Sequence, residues 1–331
     1  MGRKNRVVIY GLGPIGIETA RLALDRPGIE LAGAVDINPA LVGKDLGKVL
    51  GLRRRLGVRV VDSPEAALKR KVDVVVHCAG SHMPAIYHHL ATAVERKANV
   101  VSSAEELLFP SLQHPALARK LDRLARSKGV SILGTGVNPG FVMDTLSILM
   151  TGVCHSVQAV SAERVVNAAT RREPLQRKVG AGLEVEEFRS LVRQGKLGHV
   201  GLLESIALIA EALGWDLEIT DRIDPMIASR SYRTKYVRVK PGQATGIKHV
   251  GWGRRGKQTI VKLDLRMYVG AEGPHDAITI KGNPPLRVRV TNGVAGDEAT
   301  VGVLVNAIPL LVSARPGLLT MLDLPILRCG G

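Results

Sequence analysis

The sequence predicts an α/β protein of two domains: a Rossmann-type parallel sheet domain and a second α+β domain containing a mostly antiparallel sheet. Three observations carry this. Short β-rich runs alternate with helical patterns up to about residue 137, the pattern of parallel βαβ units. A glycine motif, Gly11-Leu12-Gly13-Pro14-Ile15-Gly16, stands where the first strand gives way to the first helix. After Gly136 basic and apolar residues alternate, as in Val237-Arg238-Val239-Lys240, Val261-Lys262-Leu263-Asp264-Leu265-Arg266-Met267 and Leu286-Arg287-Val288-Arg289-Val290. Period two with one polar face describes a half-exposed antiparallel sheet.

The elements follow in order. Arg6 to Tyr10 reads as the first strand, and Gly11 to Asp25 as a glycine turn opening a helix. Strands are expected at Leu31 to Val35, Val58 to Val61, Val72 to Cys78, Asn99 to Ser102 and Val130 to Gly134. Between them, helices are expected at about Ser63 to Arg70, Pro84 to Arg96 and Ala116 to Lys128. Glu184 to Gln194 and Gly201 to Leu213 are helical in pattern, the latter stopped by Gly214. The basic strands then form a meander to about Thr291, before a last helix at Glu298 to Val312. Residues 1–137 with 297–331 are assigned to the dinucleotide-binding domain, and 138–296 to a substrate-binding and dimerisation domain.

At 331 residues with 45% hydrophobic and 23% charged residues, the chain is long enough for two cores and is not of a disordered or fibrous type. Aromatic residues make up only 3%, which argues against base-stacking platforms. Three cysteines without a CxxC pair give neither a disulfide framework nor a cysteine zinc site, and no metal is expected. Arg3 and Lys4 precede an apolar run, but Gly11, Gly13, Pro14 and Glu18 cut it too short for a signal peptide. No stretch reaches the roughly 20 apolar residues of a membrane span, so a soluble cytoplasmic protein is expected. The net charge of +16 is uneven, with 15 basic and 4 acidic residues between Arg222 and Arg289. Solvated sheet faces account for it, and nucleic acid is not an expected partner.

Chemistry is concentrated at the ends of the early strands. The glycine motif follows a strand and opens a helix, and Asp36 ends the second strand 20 residues after Gly16. In this context the first glycine allows the tight turn, the second the approach of a pyrophosphate, and the third close packing of helix on strand. Gly11, Gly13, Pro14, Ile15, Gly16 and Asp36 are therefore cofactor-binding candidates. Asp36 would bind the adenosine ribose and repel a 2′-phosphate, which favours NAD; NADP stays open because Lys44 or Arg53-Arg54-Arg55 could fold over the site. Ala79, Gly80 and Ser81, after a buried strand, would admit the nicotinamide ribose, and His77 or His82 could serve as ligand, base or plain cleft residue.

Ser102-Ser103-Ala104-Glu105-Glu106 ends a further strand with two carboxylates. Ser102 with Glu105, or Ser103 with Glu106, could form a capping box, leaving one glutamate free for an amine or its proton. Asn138, before Pro139, could bond the nicotinamide carboxamide or simply form a turn.

Together these segments resemble the native amine dehydrogenases and 2,4-diaminopentanoate dehydrogenases, whose N-terminal half is similar to dihydrodipicolinate reductase. The resemblance spans nearly the whole chain. It includes Val42-Gly43-Lys44-Asp45-Leu46-Gly47, the segment Ser102 to Leu107, Gly134 to Asp144, Val179 to Leu183, Gly198 to Ser205, Asn306-Ala307-Ile308-Pro309 and Pro316 to Met321. It implies NAD(P)-dependent oxidative deamination of an amine, reductive amination of a ketone or aldehyde with ammonia in reverse, and a homodimer. It assigns Glu105 as the catalytic carboxylate, Asn138 as a nicotinamide contact, and Arg164 and His199 as polar substrate-binding residues; Ser102 is a further cofactor-binding candidate, and Asn138 and Phe141 further substrate-binding candidates. Ser103-Ala104 stands where the family often has Thr-Cys. Alternatives are a reductase of a cyclic imine or amino-aldehyde, and a dinucleotide-sensing regulator that binds nucleic acid. His88-His89 lacks the lysine and Ser-Gly-Thr companions expected of dihydrodipicolinate reductase itself.

Overall fold

The computed structural model describes residues 3–330. The chain divides into two compact units, the first running up to Phe141 and resuming at Ala295, the second spanning Val142–Val294. The sequence-based boundaries fell at 137/138 and 296/297.

The first unit holds a seven-stranded parallel sheet: β1 (Asn5–Tyr10), β2 (Ile29–Val35), β3 (Val60–Val61), β4 (Val74–His77), β5 (Asn99–Ser102), β6 (Ser131–Gly134) and a late strand, Gly317–Leu319. Its order is late strand, β6, β5, β4, β1, β2, β3. The strand order reverses direction about β1, where ligands of doubly wound sheets bind beyond the carboxyl ends of the strands. Helices α1 (Pro14–Leu24), α2 (Leu46–Val49), α3 (Pro64–Ala67), α4 (Met83–Glu95) and α5 (Pro115–Lys128) lie between the strands. One face of the sheet forms a core in which Val8, Val75, Val100 and Ile132 pack with Ile86 and Leu90 of α4 and Leu121 of α5. α5 has the stronger local signals: Pro115 at its start and Gly129, with φ +68°, at its end, a residue that enters the left-handed region without strain.

The second unit opens with α6 (Thr145–Thr151) and β7 (Ser156–Asn167), followed by α7 (Glu173–Lys178), α8 (Val185–Arg193) and α9 (Leu202–Ala212). Its remaining strands are β8 (Glu218–Ile227), β9 (Tyr232–Arg233), β10 (Arg238–Val239), β11 (Ala244–Arg255), β12 (Gln258–Tyr268), β13 (His275–Asn283) and β14 (Leu286–Thr291). β9 and β10 pair alone, and the six-stranded sheet runs β14, β13, β7, β12, β11, β8. The expected meander is corrected here. β7 enters between β12 and β13 and runs parallel to β12, so the sheet is mixed, though mostly antiparallel. The alternation itself holds: Arg287 and Arg289 of β14 are exposed while Leu286, Val288 and Val290 are half-buried. Helix α10 (Gly296–Val312) then returns the chain to the first unit, followed by β15, the late strand.

Among the described residues no helix is long and apolar enough to cross a membrane.

Candidate active site

The glycine motif forms its turn by omission of side chains. Gly11 has φ +90°, and a Cβ there would lie 2.9 Å from the Cys78 carbonyl oxygen. A Cβ on Gly16 would overlap the Gly11 carbonyl oxygen, whereas one on Gly13 would meet no atom within 4 Å. The first and third glycines are thus required by the protein's own backbone, and the second faces open space. Pro14 begins α1, for which Gly13 provides no side-chain cap. Its first-turn N–H groups, including that of Ile15, have no partner within the helix and suit an anion.

Asp36 sits half-buried just past β2 and accepts hydrogen bonds from the backbone N–H of Leu12 at 2.6 Å and of Asn38 at 2.8 Å. These bonds aim the carboxylate and leave lone pairs for a ribose. Ile37 beside it is 82% exposed, an apolar surface next to the carboxylate whose signal in the sequence is its place directly after the acidic residue. Bare backbone at Gly13, an open helix start and a presented carboxylate fit a dinucleotide.

Beyond β4, Gly80 with φ +90° turns the chain, and its missing Cβ leaves room for Ile86. Ala79 and Ser81 are half-buried there. His77 is different from the exposed base it could have been. It is 1% exposed, its Nδ1 lies 2.9 Å from Ser102 Oγ and its Nε2 3.3 Å from His89 Nδ1. Burial, with His89 adjacent, pushes its pKa down to about 3. It is a neutral interior group.

Ser102, expected as a cofactor contact, stands at the end of β5. Its side chain is fully buried, and its hydroxyl also accepts the N–H of Ala104 at 3.1 Å. It holds the strand end in shape.

The two glutamates separate cleanly. They open a short 3₁₀ turn, Glu105–Leu108, whose N-cap is Ala104 without a side-chain cap, so neither serine forms the expected capping box. Glu106 is buried and accepts hydrogen bonds from His82 Nδ1 at 2.7 Å, the Met83 N–H at 2.6 Å and His114 Nε2 at 3.0 Å. Its own N–H donates to Ser81 O at 3.2 Å. Burial alone would raise its pKa, but these donors, with the positive charge that His82 can carry, lower it. Glu106 therefore ties together the starts of α4, α5 and the turn that carries Glu105. His82 is one of its partners, and His114 had no signal in the sequence. Glu105, one residue earlier, is half-buried, and its carboxylate hydrogen-bonds to no described residue. Rigid support with a free carboxylate is an arrangement that can bind an ammonium group or exchange its proton.

Asn138 is half-buried in a loop after β6, joined to Pro139 by a cis peptide, and Phe141 is half-buried at the end of the first unit. In the second unit His199 is half-buried in the loop before α9. Arg164, expected among the substrate-binding residues, lies inside an ion pair. It is 3% exposed, pairs with Asp276 at 2.6 Å and donates to Val294 O at 2.7 Å. Its guanidinium pins β7 to β13 and to the segment after β14, and Asp276 also accepts the Val294 N–H at 2.7 Å. Among the described residues no cluster of His, Cys, Asp or Glu could hold a metal ion.

Residues 141–330 match the family model of the 2,4-diaminopentanoate dehydrogenase C-terminal domain, and residues 5–104 that of the dihydrodipicolinate reductase N-terminus. The chain belongs to the 2,4-diaminopentanoate dehydrogenase family. It is an NAD(P)-dependent oxidoreductase. Within that family it is 36% identical to a 2,4-diaminopentanoate dehydrogenase of Acetoanaerobium sticklandii, covering 98% of this chain and 94% of the relative. It is 28% identical to an amine dehydrogenase of Streptomyces virginiae, over 96% of each chain. The solved structure of an amine dehydrogenase from Mycobacterium smegmatis superposes with a TM-score of 0.85 at 29% identity, covering 98% of this chain and 97% of that one.

Proposed function

We propose that this member of the family is an amine dehydrogenase that deaminates a small amine oxidatively and, in reverse, aminates a ketone or aldehyde with ammonia. The observation that carries the reading is Glu105: a carboxylate with no hydrogen-bond partner among the described residues, on a turn anchored by Glu106 at the carboxyl end of the parallel sheet. Gly11, Gly13, Pro14, Ile15, Gly16 and Asp36 would hold the dinucleotide, with Ala79, Gly80, Ser81 and Asn138 toward its nicotinamide end. Bound NAD(P) supplies the hydride acceptor, or the donor in amination.

Glu105 receives the proton that a substrate ammonium must lose before its carbon can give up hydride. After hydride loss the substrate is an iminium; water adds to its carbon, ammonia leaves, and a carbonyl remains. In the amination direction the same carboxylate holds ammonium near the carbonyl carbon and returns a proton to the departing oxygen. A general acid–base group of this kind is worth about 10²- to 10⁴-fold. Asn138, Phe141, Arg164 and His199 are assigned to substrate contact. Asp36, with no arginine directly after it, favours NAD over NADP. A cytoplasmic homodimer completes the reading.

Ammonia-dependent oxidation of NADH and NADPH with a panel of short ketones and aldehydes tests it. Turnover that requires ammonia is expected; carbonyl reduction indifferent to ammonia would overturn it. Light scattering tests the dimer.

A further inference from the structure

Three neighbouring strands of the first unit end in polar side chains that the proposed reaction leaves unused. Tyr10, His77 and Ser102 stand side by side in register at the carboxyl ends of β1, β4 and β5. Their side chains therefore point to one face of the sheet, the face on which α4 packs. α4 brings His89 to them: its Nδ1 lies 3.3 Å from His77 Nε2, and its ring centroid 4.7 Å from that of Tyr10. On the other side His77 Nδ1 lies 2.9 Å from Ser102 Oγ, which also accepts the Ala104 N–H at 3.1 Å. Ser102 and His77 are buried and His89 is half-buried. The row thus runs from the strand end that precedes Glu105 out to the protein surface.

The hydrogens of this row have one order that pairs every buried group. Among the described residues the Ser102 hydroxyl meets no acceptor except His77 Nδ1, so it donates there. A neutral imidazole that accepts at Nδ1 carries its hydrogen on Nε2, and His77 donates it to Nδ1 of His89. The hydrogen of neutral His89 is then on its own Nε2.

Protonation of His89 reverses that order. An imidazolium donates from both nitrogens, so an N–H at Nδ1 of His89 would face the N–H of His77. His77 can accept it only with its own hydrogen moved to Nδ1, where it points at Ser102 Oγ. The serine oxygen then receives two hydrogens, and its own hydroxyl hydrogen loses its acceptor, an unfavourable state for a buried donor. The net change is one proton taken from solvent, with His77 neutral before and after. The titratable groups about His89 are His88 on the same helix, His77 on β4 and Tyr10 on β1, the last acted on by Glu65 of α3. Burial, with His88 adjacent, moves the titration of His89 below the ordinary 6.5.

We propose that His77 and His89 are positioning residues for the turn that carries Glu105: protonation of His89 at the surface is transmitted through His77 to Ser102 and loosens the backbone held by the Ser102–Ala104 bond. The effect on turnover rests on the amine dehydrogenase reading, and the effect on the turn does not.

Nitrogen NMR of the histidine-labelled wild type reads the tautomers directly. His77 should carry its hydrogen on Nε2 at about pH 7.5 and on Nδ1 once His89 has titrated. His89→Gln keeps an acceptor for His77 but does not titrate, so it separates the row from other acid effects. At about pH 5.5 the amides of residues 103–108 should exchange about five- to tenfold faster in the wild type than in His89→Gln, and at about pH 7.5 at similar rates. The ratio of kcat at about pH 5.5 to that at about pH 7.5, in ammonia-dependent NADH oxidation, should be lower in the wild type by a similar factor. A His77 tautomer unmoved by the titration of His89, or equal amide exchange in the two proteins, would overturn the inference, as would equal kcat ratios. The tautomer shift and the exchange difference without any ammonia-dependent turnover would uphold the positioning role and remove the proposed reaction.

Discussion

The turn after β1 is made by leaving side chains out, and the turn after β5 by tying them together. At Gly11 and Gly16 the backbone crosses itself so closely that a Cβ would strike a carbonyl oxygen. What remains is bare N–H groups for an anion. At Glu105 and Glu106 the backbone is an ordinary 3₁₀ turn, and three donors from two other segments converge on one carboxylate so that its neighbour is held without being used. The first turn is specified by local sequence and the second by tertiary structure. Substitutions of Gly11 and Gly16 should therefore act on folding, and substitution of Glu105 on turnover.

Glu105→Gln should give the largest effect: a fall in turnover of about 10²- to 10⁴-fold, with melting temperature and dinucleotide affinity nearly unchanged. Full activity in this variant would remove the carboxylate mechanism. Gly16→Ala should act through folding, at or above the upper end of the roughly 1–3 kcal/mol typical of overpacking. Gly13→Ala, at φ −68° with open space around it, should melt normally and bind NAD(P)H severalfold less well. Equal effects of the two alanines on melting would erase the distinction drawn between them.

Glu106→Gln combines both kinds of effect. Loss of a charged acceptor for buried donors costs about 1.5–3 kcal/mol, and the Glu105 turn should loosen, so kcat should fall while dinucleotide affinity falls less. Because the Glu106 pKa is lowered from 4.5, its contribution is fully present above that value and lost only as pH falls through the lower, folded value. Wild type and variant should converge in stability there. A difference that persisted in acid would show that packing, not charge, is responsible.

His77 has its pH dependence in a higher window. Its folded pKa of about 3 lies below the ordinary 6.5, so its contribution is complete above pH 6.5 and declines as the unfolded chain takes up the proton. Between pH 6.5 and 5 the wild type should lose about 2 kcal/mol through this group, and His77→Phe should flatten that slope in urea unfolding. The smallest effect is expected for Arg287 and Arg289 on β14. Changing both to Gln should alter stability by no more than about 0.5 kcal/mol and leave turnover intact, whereas salt-sensitive binding of duplex DNA by the wild type would contradict the solvated-face reading.

The same division explains what was legible in the sequence. Gly11, Gly13, Gly16 and Asp36 announce a dinucleotide turn because each requirement is local. The parallel strands were visible as buried Val-rich runs, and the basic strands as period two. β7 escaped notice: its first half lies in an uncharged stretch without clear alternation, and its place at the sheet's centre depends on pairing with β12 and β13, distant in sequence. The roles of Glu106 and Arg164 were hidden for a related reason. His114 and Asp276 become partners only after folding, and a buried ion pair has the same sequence signature as a free arginine.

The excursion of the chain between Phe141 and Ala295 has a consequence for how the protein is made. By the time Phe141 has been synthesised, six strands of the parallel sheet exist, but α10 and β15 do not. α10 packs against α1 and β5, burying Val301, Leu304, Val305, Ile308 and Leu311, and β15 completes the sheet edge beside β6. On the ribosome the nascent first unit thus waits, with that apolar face and strand edge uncovered, through the synthesis of the 142–294 segment. Exposed apolar surfaces and unpaired edges are where nascent chains aggregate, so translation speed and chaperone supply bear on the yield of this protein through its last helix and strand.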